Sequence, residues 1–156
     1  MKPVLQALVL ADHVYQDMTG KKIIAGTFNT LKFSRKPPVT EIQLPDGTKQ
    51  KVLMGGMQSG SPFAYVSLTD VCDGTKLQIQ FVNLVQNVVL FGHEVTINNT
   101  NRLATVELVL PLPRLPIQEA GIYALEVLCD GDPLGSYRIS AESLDEKTEG
   151  PKPAES

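Results

Sequence analysis

The sequence predicts an all-β fold, an immunoglobulin-like antiparallel β-sandwich of about eight strands. Three observations carry that expectation. Apolar residues recur at every second position along most of the chain, and no stretch keeps a helical period. The alternating runs are separated by Gly, Pro, Asn and Asp, the residues that tight turns use. The stretch "EAGIYALEVLCDGDPLGSYRISAE" (119–142) reads as a complete hairpin, two such runs joined by Asp130-Gly131.

Taken in order, the first run, Val4 to Leu10, is apolar on both faces, as expected of a strand covered on both sides. "KKIIAGTFNTLKF" (21–33) is rich in β-branched and aromatic residues. "PFAYVSLTD" (62–70) follows a long irregular segment. "KLQIQFVNL" (76–84) sets Leu77, Ile79 and Phe81 against Gln78 and Gln80. "VVLFGHEVTI" (88–97) has Val89, Phe91, Val95 and Ile97 in phase, with His93 among them. "RLATVELVL" (102–110) aligns Ala104, Val106, Leu108 and Leu110. In the closing hairpin Tyr123, Leu125, Val127 and Cys129 face inward, then Tyr137, Ile139 and Ala141. Gly121-Ile122-Tyr123 has the form of a tyrosine corner, in which the phenol bonds backbone nearby. Leu125 stands where antibody domains carry a cysteine, and the chain has no Trp, so the architecture is expected without the antibody markers.

A length of 156 residues suits one domain. The sandwich is expected over 1–142, with a long inserted loop at 34–61 and a disordered C-terminal tail at 143–156. The insert exceeds the ~12–15 residues of ordinary connections, and its Pro45-Asp46-Gly47 suggests a small satellite hairpin. The tail is charged, Pro-containing and poor in apolar residues.

With 14 basic and 17 acidic residues, the net charge of −3 gives no global case for nucleic acid. The N-terminal apolar stretch, interrupted by Gln6, is shorter than the roughly 15–30 residues of a secretory signal. No run approaches the roughly 18 apolar residues of a membrane span. The expected setting is therefore the cytoplasm, and Asn98-Asn99-Thr100 is read as a polar turn rather than a glycosylation site. Cys72 and Cys129 form no zinc pattern and are expected as reduced, buried or half-buried thiols.

Motifs of catalysis are incomplete. Gly55 and Gly60 have P-loop spacing, but Ser61 follows where a phosphate-binding Lys is needed. "HEVTI" opens like a zinc-protease motif and then has Ile97 in place of the second ligand. His13 beside Asp12 is a neighbour pair without a nucleophile, and "LPLPRLPIQ" (110–118) reads as an extended crossover. No enzyme activity and no cofactor are expected. A deep pocket uniting His13 or His93 with a carboxylate would be the feature to reverse that.

If successive strands are antiparallel, the turns gather at two poles. One would carry Asp12, Asp17, Asp70, Asp73, Asn98 to Asn101, Asp130 and Asp132, diluted by Lys21, Lys22, Lys76 and Arg102. The other would carry Arg35, Lys36, Lys49 and Lys51 of the long segment, together with Arg114. Met54 and Met57, beside glycines, add an adaptable apolar element there.

The segments "ALVLADHVYQDMTGKKIIAGTFNTL" (7–31) and "RLATVELVLPLPRLPIQEAGIYALEVLCDGDPLGSYRI" (102–139) share a pattern. A first strand ends in an acidic residue, followed by Thr-Gly-Lys and Gly-x-Phe, then a proline-rich crossover, a Gly-x-Tyr strand and an Asp-Gly turn. This resembles a bacterial family of small uncharacterised β-sandwich proteins, a domain of unknown function. The resemblance implies a β-sandwich in a bacterial cell and transfers no functional residue.

The function expected from all this is a non-catalytic binding or scaffolding module, engaging a protein partner or another copy of itself. Loops or an exposed strand edge would make the contact. Partner-binding residues would be Arg35, Lys36, Lys49, Lys51, Met54, Met57 and Arg114. The alternative is a cation- or small-ligand-binding domain, with Asp12, Asp70, Asp73, Asp130 and Asp132 supplying oxygens to a hard cation.

Overall fold

A computed structural model describes residues 2–34, 39–53 and 61–144. The described chain is all β. No helix in it is long and apolar enough to cross a membrane. A four-stranded sheet is built from β1 (Val4–Gln16), β2 (Lys22–Thr27), β6 (Phe63–Thr69) and β9 (Val106–Pro111), in the order β2-β1-β6-β9. A five-stranded sheet contains β3 (Thr30–Phe33), β7 (Thr75–Asn83), β8 (Val88–Ile97), β10 (Gly121–Cys129) and β11 (Asp132–Ser143), in the order β3-β11-β10-β7-β8. The hairpin expected around Pro45-Asp46-Gly47 forms as a separate pair, β4 (Val39–Gln43) with β5 (Lys49–Leu53).

The two larger sheets enclose one core. Leu10, Ala64, Val66 and Leu68 face it from the first sheet, and Leu77, Ile79, Phe81, Leu125, Val127 and Ile139 from the second. Leu112, Leu115 and Ile117 of the crossover between β9 and β10 close one end. Fully burying such side chains contributes about 1.5–3 kcal/mol each, and the alternation read in 76–84 and 119–142 is what delivers them to one side. The β10–β11 hairpin turns where expected. Asp130 (φ 51°) and Gly131 (φ 81°) are both left-handed, the two-residue type I′ geometry that matches strand twist.

Several expectations are corrected. The first strand runs on to Gln16, because its second half pairs with β2 through Ala11↔Thr27 to Gln16↔Lys22. His13 and Asp12 therefore lie within a strand and not after it. The 21–33 run divides at Phe28-Asn29 and changes sheets. There the Tyr137 hydroxyl donates to the Phe28 carbonyl at 2.6 Å and Ser140 N–H to the Asn29 carbonyl at 2.9 Å. As a result β3 pairs with β11 in parallel, the one parallel pairing among otherwise antiparallel ladders of the described strands. That pairing carries β11 to Ser143, one residue past the expected domain end, and Leu144 N–H bonds the Phe33 carbonyl at 2.9 Å. β9 begins only at Val106. The preceding residues are held as a loop by Asn99, whose side-chain amide donates to the Val71 and Asn101 carbonyls, both at 2.9 Å. Ala104 thus never joins the strand assigned to it, and Leu103 is exposed.

Candidate functional site: the outer face of the four-stranded sheet

The two expected poles are assembled differently from their sequence reading. Val4 pairs with Thr69, so Asp70 lies beyond the beginning of β1, whereas Ala11 pairs with Phe63, so Asp12 and Asp17 lie beyond the other end of β6. Asp12 sits over Gly26, whose added Cβ would lie 2.6 Å from the Asp12 carboxylate. The remaining four aspartates share one end but have separate attachments. Asp70 pairs with Arg102 at 3.8 Å, Asp73 accepts the Asn99 N–H at 2.9 Å, Asp132 pairs with Lys2, and Asp130 forms the hairpin turn. Among the described residues no three His, Cys, Asp or Glu side chains approach closely enough to hold a metal ion. The five aspartates named for a cation site are therefore not gathered into one group of side chains.

Of the basic pole, Arg35, Lys36, Met54 and Met57 lie outside the described residues, and of Lys51 only the backbone is described. Lys49 is exposed at the start of β5, and Arg114 is exposed in the crossover. Both cysteines are free. Cys129 is buried, and burial, then the Asp130 charge, push its thiol above the ordinary value; Cys72 is exposed, against the expectation of burial.

A surface that the sequence reading passed over is the outer face of the four-stranded sheet. In β1, Leu8 and Leu10 turn to the core, which leaves Val9, Ala11, His13 and Tyr15 on the other side. Register carries the same face across the neighbouring strands. Val9 pairs with Tyr65, and Tyr65 with Val109; Ala11 pairs with Phe63; His13 pairs with Ala25 and Tyr15 with Ile23. Ala11 is fully buried between its neighbours, Val9, Ala25, Phe63, Tyr65 and Val109 are half-buried, and Tyr15 and Ile23 are 52% and 48% exposed. The His13 ring stacks on Tyr15 at 5.6 Å between centroids and leans on Phe63 at 6.3 Å.

One row further along, Ser67 pairs with Glu107, the carboxylate that these rows bring to the face. The Tyr65 hydroxyl donates to it. Burial and then Glu107 itself raise the Tyr65 phenol above its ordinary value, so at neutral pH the hydroxyl keeps its proton and donates it.

The outer face of the five-stranded sheet is the opposite in character. There Lys76, Gln78, Gln80, Glu94, Glu126 and Arg138 occupy the outward positions, tied by Lys76–Glu94 at 3.9 Å and Gln80–Glu126 at 3.2 Å. An antiparallel sheet that meets water on one side ordinarily looks like this one, with polar residues outward. The β1 segment signalled the difference in its sequence, since its apolar residues occupy both parities. Of the Val4–Leu10 run, expected to be covered on both sides, Leu10 is buried, Leu5, Ala7, Leu8 and Val9 are half-buried and Val4 is exposed, while the half-exposed Tyr15 and Ile23 lie beyond it. Compared with known proteins, the chain matches no family model and no curated protein.

Proposed function

We propose that this chain is a non-catalytic binding or scaffolding module of the bacterial cytoplasm, docking a protein partner through the outer face of its four-stranded sheet. One observation carries the reading: Tyr15, Ile23, Phe63, Tyr65, Val9 and Val109 lie in register on a charge-poor face. Interface centres have this composition, enriched in Tyr and Phe and depleted of Lys, Asp and Glu. Stacked His13 and Tyr15 rings bind with little loss of side-chain freedom.

The finer architectural reading, an immunoglobulin-like domain of the bacterial family described above, is supported by two features. Strands β1-β6-β9 and β7-β10-β11 follow the A-B-E and C-F-G neighbour orders of that fold. The Tyr123 hydroxyl bonds the Glu119 carbonyl as a tyrosine corner does.

The test is capture from bacterial lysate with three baits: the full chain, the Tyr15→Lys/Ile23→Lys double variant, and a chain with residues 36–60 replaced by a short Gly-Ser turn. Both substituted positions are half exposed and outside the core, so an unchanged melting temperature certifies the fold. A stoichiometric partner held by the full chain and lost by the double variant is the expected result. Loss only with the 36–60 replacement would move the site to the basic segment. Equal capture by all three, or none by any, would overturn the reading.

A further inference from the structure

The sandwich is open along one side, where the edge strands β8 and β9 belong to different sheets. Between them lies a cavity of about 340 Å³. Its wall includes Ile79 and Phe91 from one sheet, Leu110 from the other, and Leu112 and Pro113 from the crossover, with His93 also on the wall. Small-molecule sites commonly occupy about 300–1,000 Å³, mostly apolar, with very few polar groups that fix orientation.

His93 is placed there by strand parity. It pairs with Ile79, a core residue, and shares its side of β8 with Phe91, Val95 and Ile97, all of which pack in the core. Yet His93 itself is exposed, because it reaches the open mouth. Its neighbour Glu94 points to the opposite face and meets Lys76. Among the described residues lining the cavity, His93 is the one titratable side chain. The carboxylate partner that an acid–base pair would need is not among them.

The walls are preformed. Phe91 stacks on Phe81 at 5.4 Å, and Phe81 on Tyr123 at 5.6 Å. Leu112 N–H bonds the Pro62 carbonyl at 2.9 Å, and prolines on both sides of Leu112 restrict the backbone. A ligand entering would therefore meet a rigid apolar slot with one imidazole at its rim.

We propose that this cleft binds a small aliphatic carboxylate, its chain between the two sheets and its carboxylate on the His93 imidazole. The charge argument selects that ligand. An imidazole offers an N–H to an anion in either protonation state, and an adjacent carboxylate favours the protonated, doubly donating form. An aliphatic ammonium would find at most the one acceptor nitrogen of the neutral imidazole and is repelled by the protonated form, and an alcohol would forgo the charge-assisted bond.

The experiment titrates decanoate, and separately decanol, into the full-length protein, followed by calorimetry and by amide NMR shifts. Decanoate is expected to saturate one site, moving the signals of Phe91, His93, Leu110 and Leu112. His93→Gln, at an exposed position, should weaken decanoate about tenfold and leave decanol unchanged, the size of one charge-assisted hydrogen bond. Leu110→Trp, which fills the slot, should abolish both. No saturable uptake by the wild type would overturn the proposal, as would equal affinity for the two probes or shifts confined to Tyr15, Ile23 and Phe63. That last outcome would leave the outer-face reading standing, since the two surfaces are separate.

Discussion

The Tyr123 hydroxyl donates to the carbonyl of Glu119, four residues back, at 2.8 Å. The Glu119 carboxylate in turn accepts from the side-chain amide of Asn83 at 2.9 Å, and the Asn83 oxygen accepts the N–H groups of Val85 and Gln86 at 3.0 and 3.2 Å. Three elements are thereby tied together: the end of the crossover, the start of β10 and the β7–β8 turn. Asn83 is buried, so its bonds replace water that cannot reach it. Tyr123→Phe keeps the ring on Phe81 and removes only the donor. It should cost about 1 kcal/mol, read as a lower urea midpoint at unchanged slope. Asn83→Ala removes three hydrogen bonds at once, to the Glu119 carboxylate and from the Val85 and Gln86 N–H groups, and should cost about 1–3 kcal/mol.

The Asp130-Gly131 turn makes a second, sharper test. Gly131 has φ 81°, where a Cβ is disfavoured by about 1–2 kcal/mol, and no heavy atom lies within 4 Å of the position that Cβ would take. Gly131→Ala should therefore lose about that amount through backbone strain alone. Asp130→Asn, at φ 51°, should be close to neutral because Asn tolerates the same conformation. Equal losses at the two positions in thermal unfolding would contradict a type I′ turn.

These two sites also mark what the sequence made legible. Turn chemistry and strand parity are local, so the hairpin, its inward residues and the corner tyrosine could be read directly from 119–142. The poles could not. Their reading required every turn to alternate ends, and two events broke that rule: β1 overran β6 by the length of its pairing with β2, and the chain changed sheets at Phe28-Asn29. Both are set by long-range partners such as Tyr137, which no local pattern announces. The aromatic outer face was half visible, since β1 is apolar on both parities, but Phe63, Tyr65 and Val109 join it only through register. His93 was identified as lying in phase with core residues, while the cavity beside it depends on how far β9 stands from β8.

Asp12 and Gly26 supply a prediction about strain. Gly26 has φ 76°, and a Cβ there would lie 2.6 Å from one Asp12 oxygen and 3.0 Å from two Asp12 carbons. Gly26→Ala should cost more than Gly131→Ala, because a collision adds to the backbone term. Asp12→Ala in the same chain should recover the collision with the carboxyl group, leaving the 3.0 Å approach to the residue-12 Cβ and about 1–2 kcal/mol of backbone strain. A double-mutant cycle in urea measures the coupling directly. Strict additivity would mean that the two residues do not touch.

The dispersal of the aspartates gives an expectation for metal addition. With Asp12 at the far end, and Asp70, Asp73 and Asp132 each engaged separately, no three carboxylates are gathered for a hard cation among the described residues. The melting temperature should be the same in millimolar calcium as in chelator, for wild type and for Asp70→Ala alike. A calcium-dependent rise lost in Asp70→Ala would restore the acidic pole.

Acid should expose the β1–β2 turn. The Thr19 hydroxyl, donating to Asp17 at 2.6 Å, is the largest influence holding that carboxyl below its ordinary value, followed by the Lys21 N–H at 2.9 Å. The folded pKa therefore lies below the unfolded one of about 3.9. The ionised form's contribution is fully present above the unfolded value and is lost as pH falls through the folded value. Asp17→Asn removes the charge at every pH, so its deficit relative to wild type should be constant from pH 7 to about 5 and shrink below about pH 4. Urea midpoints for both chains between pH 2 and 7 measure this. A deficit that persists unchanged at pH 2, or widens toward it, would show that the turn is held by its shape and not by the Asp17 charge.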